Sequence, residues 1–356
     1  MKQNIPQEYK EITNELYLQA TQHIEKARDR VQRSINTEMV SAYWRIGRDI
    51  VEAEQKGKTR AAYGSNLLQE LSERLCRKYG KGFSVSTLRD IRQFYITYSD
   101  TPTNHHALRG KTPDKSFSLN LGWIHYRALM RIDRNEARNF YEIEAEKNSW
   151  SGRELERQIN SLLFDRLAKS KNKEELLSLA QDGQQVNTPE DAIKEPLILE
   201  FLGLPESNRL VESELEDALI TNLQQFLLEL GKGFSFIGRQ KRLTFDGDHF
   251  YADLVFYHVL LKCYVIIDLK THKLTHADLG QMQLYVNYFD KKIKQKDDSP
   301  TIGLVLCTEK SEEMAKYMLG DKAKQIFATK YQLHLPTEEQ LKREIKRELK
   351  EIESDF

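Results

Sequence analysis

The chain has 356 residues, with 54 basic and 54 acidic side chains; charged residues make up 30% of it and the formal net charge is zero. No apolar run approaches the ~18 residues of a membrane helix, and Met1 to Lys10 is polar rather than leader-like. Cys76, Cys263 and Cys307 are widely spaced, with no CxxC or Cys/His array, which argues against a disulfide framework or a zinc site. The expectation is a cytosolic protein with buried thiols and, at this length, two domains. The zero net charge hides an asymmetry of roughly +7 over residues 1–180 and roughly −7 over 181–356, which points to a nucleic-acid contact in the basic half.

The amino-terminal half reads as helices. Ile12–Ile35 and Thr37–Gln55 are amphipathic stretches, and after Gly57 a third helix is predicted from about Tyr63 to Tyr79, with Leu67, Leu68, Leu71 and Leu75 on its inner face. Gly80-Lys81-Gly82-Phe83 breaks it, and Ser84 to Thr87 offers N-cap residues for a helix through about Tyr98. Its periodicity turns Leu88, Ile91 and Tyr95 inward and leaves Arg89, Arg92 and Gln93 outward. Helix, glycine turn and helix resemble a helix-turn-helix unit, with Arg89, Arg92 and Gln93 as candidate nucleic-acid contacts. A plain helical bundle with a solvated basic face accounts for the pattern equally well. Residues 99–118, rich in Thr, Pro, His and Ser, read as an exposed loop, in which His105 and His106 are more simply solvated than metal-bound. Helical segments follow at Trp123–Met130, Asn135–Asn148 and Gly152–Leu167. Arg127, Arg131, Arg134, Arg138, Arg153 and Arg157 serve there either a polyanion or salt bridges with Glu142, Glu154 and Glu156.

Residues 1–180 are thus expected to be a helical, DNA-binding domain, and the polar stretch from Gln181 through Pro189 begins a linker over 181–196. The second domain is expected over 197–335, opening with a packing element at Leu197–Leu204. A helix from Ser213 carries an apolar stripe on to Leu230; Glu216 is in register with Ile220, Leu223 and Leu227 and faces inward, whereas Glu214 lies on a wetter flank. Phe250–Phe256 reads as a strand after the turn-like Asp246-Gly247-Asp248, joined through a hairpin near His258 to a buried strand at Lys262–Lys270. A turn at Thr271–Leu274, a helix from about His276 to Tyr288, a buried strand at Ile302–Cys307, a helix at Glu312–Leu319 and a strand at Ala323–Ala328 follow. The tail, 336–356, opens like a capping box after Pro336 and repeats Leu341, Ile345, Leu349 and Ile352 on one helical face. That narrow stripe suits a homo-oligomer contact or packing on its own domain.

Asp253, Asp268 and Lys270 stand inside the most apolar segments of the chain. A charge in a buried strand is costly unless it is paired or binds a cation. Asp268 and Lys270 are two residues apart and point the same way, and neighbouring strands lie about 4.8 Å apart, so Asp253 and Asp268 can share one ion. Hard carboxylate oxygens suit Mg²⁺, with Mn²⁺ able to substitute. Such an ion polarises a phosphate and acidifies water, while Lys270 can orient that water or balance charge in the transition state. Glu216 is a candidate further ligand. Gln281 and Tyr285, one helical turn apart, share a face toward a substrate backbone or Lys270. An inert Asp268–Lys270 ion pair is the competing reading, against which the ordered Glu216, Gln281 and Tyr285 weigh.

Together Glu216, Asp253, Asp268-Leu269-Lys270 and Gln281-Met282-Gln283-Leu284-Tyr285 resemble the PD-(D/E)XK nuclease signature, with a Gln-x-x-x-Tyr element similar to that of RecB-like members. Tyr43-Trp44-Arg45-Ile46-Gly47, Tyr63-Gly64, Gly80-Lys81-Gly82-Phe83-Ser84, Trp150-Ser151-Gly152-Arg153-Glu154-Leu155 and Leu228-Glu229-Leu230-Gly231-Lys232-Gly233-Phe234 extend a resemblance to the YhcG family over nearly the whole chain. Ala252 stands before Asp253 where the signature has proline, at a position that is not a ligand. The resemblance implies a restriction-endonuclease-like αβββαβ core, which with the all-helical, helix-turn-helix-like amino-terminal domain read from periodicity makes an α+β multidomain protein. It also implies metal ligands at Asp253 and Asp268, a catalytic Lys270, and a role in defence against foreign DNA or in DNA processing. Two classes stay open: a metal-dependent nuclease acting on DNA, with RNA as the alternative substrate, and a nucleic-acid-binding or assembly factor on an inactive nuclease fold.

Overall fold

The computed structural model describes residues 7–56, 61–99, 117–168, 173–194, 197–204, 210–245, 247–309 and 325–333. The predicted helix at Glu312–Leu319, most of the 99–118 loop and the 336–356 tail lie outside these. By its contacts the chain divides into two compact units, Met1–Glu156 and Arg157–Phe356.

The first unit is helical. Its opening helix α1 runs unbroken over Gln7–Lys56, so the predicted division near Asn36 does not occur: Asn and Thr lower helix propensity by only a few tenths of a kcal/mol, and neither Gly nor Pro stands there to stop it. Over its first half Leu16, Tyr17, Ile24 and Val31 are exposed. Helix α2 (Ala61–Tyr79), a tight turn at Lys81–Phe83 and α3 (Val85–Ser99) follow, and the Ser84 hydroxyl accepts from the Thr87 amide at 3.2 Å, capping α3. Ile50, Leu68, Leu88 and Ile91 form the core. At Gly47 a Cβ would lie 2.4 Å from the Ile91 carbonyl oxygen, so α1 and α3 can cross this closely only because the side chain is absent. Phe94, rather than the half-buried Tyr95, completes the inner face of α3. It packs on Phe117, Trp123 and Tyr126. Helices α4 (Trp123–Leu129) and α5 (Asn135–Lys147) end the series, and α6 (Gly152–Asn160) spans the division at Glu156.

The predicted helix at Gly152–Leu167 is interrupted: α6 stops at Asn160, Leu162 takes a left-handed φ of 50°, and α7 restarts at Leu163–Ala168. After α8 (Lys173–Asp182) and a Thr188-capped turn, α9 (Pro189–Ala192), comes a six-stranded mixed sheet. Its strands are β1 (Leu197–Ile198), β2 (Phe234–Phe245), β3 (Asp248–His258), β4 (Cys263–Leu269), β5 (Ile302–Cys307) and β6 (Ile326–Gln332), in the order β1-β6-β5-β4-β3-β2. β2, β3 and β4 pair antiparallel, while β4, β5, β6 and β1 pair parallel. β6 starts later than the Ala323–Ala328 expected, and β2 was not anticipated as a strand.

Strand alternation sorts the core into two layers. Val265, Ile267 and Leu269 face Leu215, Leu219, Phe226 and Leu230. These belong to α10 (Glu212–Thr221) and α11 (Leu223–Leu230), two helices where one was predicted. The break falls at Asn222, whose side chain bonds back to the Ala218 carbonyl at 2.9 Å. On the other face Ile266 and Val305 meet Leu279, Met282, Tyr285, Val286 and Phe289 of α12 (His276–Lys292). Gly303 lets α12 settle onto β5, since a Cβ there would lie 2.6 Å from the Met282 sulfur. No described helix is long and apolar enough to cross a membrane.

Candidate active site

Arg239 pairs with Leu254 and Lys241 with Ala252 across β2–β3, and Leu254 pairs with Ile267 across β3–β4. That register sets Gln240, Asp253 and Asp268 in one row across three strands. Asp253 is half-buried, and its Oδ2 accepts from the Leu269 amide at 2.7 Å, which locks it to the end of β4. Asp268 is only 1% exposed. Lys270 follows on the same side, as the alternation predicted, with its backbone amide bound to the Leu306 carbonyl at 2.8 Å. Its Nζ stands 2.8 Å from Asp268 Oδ2 and 3.6 Å from Glu212 Oε2. That ammonium and the Asp253 carboxyl both stand within hydrogen-bonding reach of the Asp268 carboxyl.

The electrostatics follow from this crowding. Burial, then the neighbouring Asp253 charge, pushes the Asp268 carboxyl up to about 7, against the opposing pull of Lys270. Burial works against the Lys270 ammonium, but Asp268, Glu212 and Asp253 outweigh it and raise its pKa, so it stays charged. Glu216 lies on the buried face of α10, as its periodicity indicated, and Glu214 is exposed. Burial raises the Glu216 pKa; a hydrogen bond from Gln240 opposes this and the Asp253 charge adds to it. Gln240 Nε2 donates to Glu216 Oε2 at 2.5 Å and to Asp253 Oδ1 at 3.1 Å.

The Gln281–Tyr285 pair meets as its spacing implied, Gln281 Nε2 donating to the Tyr285 hydroxyl. Tyr285 itself is fully buried and donates to the Tyr251 carbonyl of β3 at 3.0 Å. The structure thus uses the pair to tie α12 to β3. In the first unit, Arg89 is exposed, Gln93 bonds to Thr97, and Arg92 is held by Glu54 at 2.6 Å. Arg127 pairs with Asp90, and Arg138 is spent on the Ile132 carbonyl. Arg157 belongs to the second unit, bonded to Glu200, Glu229 and the Ile198 carbonyl. Sequence reading passed over Gln240, whose signal lies in strand register, and the exposed basic run Arg239, Lys241 and Arg242 around it on the edge strand β2.

The donor set fits a hard divalent cation: every candidate ligand is an oxygen, and the carboxyls of Asp253 and the buried Asp268 crowd together beside the Lys270 ammonium. Among the described residues no three His, Cys, Asp or Glu side chains gather into a ready cage.

Two acidic side chains and a lysine, set on neighbouring strands of a mixed sheet between helices, define the PD-(D/E)XK nuclease class. Residues 190–350 match the family model described as the YhcG PDDEXK nuclease domain, and residues 19–166 match the DUF1016 N-terminal domain. The YhcG protein of Escherichia coli (strain K12) is 37% identical over 353 residues, covering 94% of this chain and 93% of that protein. The chain belongs to the YhcG family. Among solved structures, a repair endonuclease from Pyrococcus abyssi shares 19% identity over 37% of this chain and 50% of that one, with a TM-score of 0.25, too slight a likeness to carry argument.

Proposed function

We propose that the second unit hydrolyses phosphodiester bonds in DNA, using Mg²⁺, or Mn²⁺ in its place, held by Asp253 and Asp268 with Glu216 nearby. The observation that carries this is the buried Asp268 carboxyl crowded against Asp253, with its Oδ2 2.8 Å from the Lys270 ammonium. When bound, the cation supplies Lewis acidity toward the phosphate and a lowered pKa for water. Asp253 and Asp268 present oxygens from adjacent strands at one fixed place. Lys270, kept charged by its acidic neighbours, orients the attacking water and balances the charge that gathers on the phosphate. Tyr285 and Gln281 brace the strand that carries Asp253. Arg239, Lys241 and Arg242 on β2 offer phosphate contacts beside the site, and Arg89 and Gln93 offer them on the first unit.

The test is a panel of linear, circular, single-stranded and branched DNA, with RNA alongside, incubated with Mg²⁺ or Mn²⁺. The parent is expected to cut DNA, with Asp268→Ala and Lys270→Ala slower by about 10²–10³-fold or more. Equal degradation by all three proteins removes the proposal, and cleavage confined to RNA removes its DNA half.

A further inference from the structure

We infer that Gln240 is a positioning residue of this cation site: in the metal-free protein its amide bridges Glu216 and Asp253 from the place a divalent cation takes, and it turns to present Oε1 when the cation binds. The inference rests on the metal-dependent reading above. Its starting point is the backbone. Gln240 has φ 48° in the middle of a strand, a left-handed conformation that side-chain-bearing residues other than Asn and Asp seldom adopt. Strain of this kind persists where the surroundings enforce it, and it clusters at functional sites.

Here it aims the side chain. Gln240 sits opposite Asp253 in the β2–β3 ladder, and its one Nε2 reaches both Asp253 Oδ1 and Glu216 Oε2. A carboxamide nitrogen has two hydrogens, one for each carboxylate. Without them the two carboxylates would face each other with little between; Arg239 lies 3.9 Å from Glu216 but is engaged by Asp217 at 2.7 Å, and Lys270 serves Asp268. The amide thus performs, without a charge, the bridging that a cation held by Asp253 and drawn toward Glu216 would perform with one. A hydrogen-bond donor cannot keep that position facing a cation. The same side chain carries its remedy, because rotating the amide exchanges Nε2 for Oε1, and amide oxygens are ordinary ligands of hard cations.

The test uses the full chain stripped of metal with a chelator, Mn²⁺ titration by calorimetry, and thermal unfolding with and without Mn²⁺. Gln240→Lys should bridge the carboxylates permanently, holding the metal-free Tm within about 2 °C of the parent while binding Mn²⁺ about 10–100-fold more weakly. Gln240→Leu should lower the metal-free Tm by about 2–6 °C and weaken Mn²⁺ binding by about tenfold. Gln240→Glu should have the lowest metal-free Tm and the largest rise on adding Mn²⁺. Parent-like Mn²⁺ affinity in all three, with affinity lost in Asp268→Ala, overturns the inference and leaves the metal-dependent reading standing. Parent-like affinity in Asp268→Ala overturns that reading and the turning amide together. A metal-free Tm order other than Lys above Leu above Glu overturns the bridge.

Discussion

Glu229 and Asp268 are both carboxylates sealed inside the second unit, at 0% and 1% exposure. They have been treated in opposite ways. Glu229 receives Arg166 at 2.8 Å, Arg157 at 3.0 Å and the Ile198 amide at 3.0 Å, while Lys194 binds its carbonyl. Burial alone would raise its pKa, but Arg166, Lys194 and Arg157 overcome that and bring it down to about 2. Asp268 has the Lys270 ammonium and a like charge beside it, and burial carries its pKa the other way. A fully compensated buried carboxylate is a strut. One left half-compensated keeps an acceptor in reserve for something that arrives later.

The comparison breaks first at Glu229. Glu229→Ala removes the carboxylate that the buried Arg166 and Arg157 share and should cost about 3–5 kcal/mol of stability in urea denaturation, with cleavage per folded molecule little changed. Asp268→Asn should do the reverse. Its cleavage should fall by about 10²–10³-fold, about 3–4 kcal/mol of transition-state stabilisation, while its metal-free stability falls by less than that of Glu229→Ala, because relief of the Asp253 repulsion offsets the charge partner that Lys270 loses. A large stability loss at Asp268 with no catalytic loss would exchange the two roles.

A pH series sharpens the same contrast. The folded pKa of Glu229 lies at about 2, below its ordinary 4.5. Its contribution, roughly 3 kcal/mol, is therefore complete above pH ~4.5 and is lost as the pH falls toward 2, where the unfolded chain takes up a proton that the folded one refuses. The stability gap between the parent and Glu229→Gln should accordingly narrow below pH ~4.5. A gap that stays constant from pH 6 to 3 would mean that the arginines do not hold the carboxylate ionised.

How much of this could be read beforehand depended on whether the signal was local. β4 and β5 are buried on both faces, so they appear as continuous apolar runs in which Asp268 stands out. Glu216 was legible because helical periodicity alone orients it. β2 was not: it is an edge strand with exposed Arg239, Gln240, Lys241 and Arg242 at its centre, and only its pairing with β3 makes it a strand. The same pairing gives Gln240 its place. Arg157 looked like part of a basic helical surface, yet its partners Glu200 and Glu229 lie 43 and 72 residues away, a separation that no local pattern reports. α1 failed in the opposite sense, since the amphipathic stretches read separately on either side of Asn36 are one helix that runs through it.

The smallest effect tests a strut placed within the site itself. Spacing put Gln281 and Tyr285 on one helical face, but it could not say whether that face met a substrate or the sheet. The buried Tyr285 hydroxyl donates to the Tyr251 carbonyl and accepts from Gln281, so its partners are already supplied by the protein, like those of Glu229. Tyr285→Phe keeps the ring in its packing and removes one hydroxyl, leaving the Tyr251 carbonyl without that donor. The expected cost is about 1 kcal/mol of stability, with cleavage lowered less than about tenfold, through the slight loosening of β3 around Asp253. A fall of about 10²-fold or more at unchanged stability would show the hydroxyl working on the phosphate directly, and would move Tyr285 from the company of Glu229 to that of Asp268.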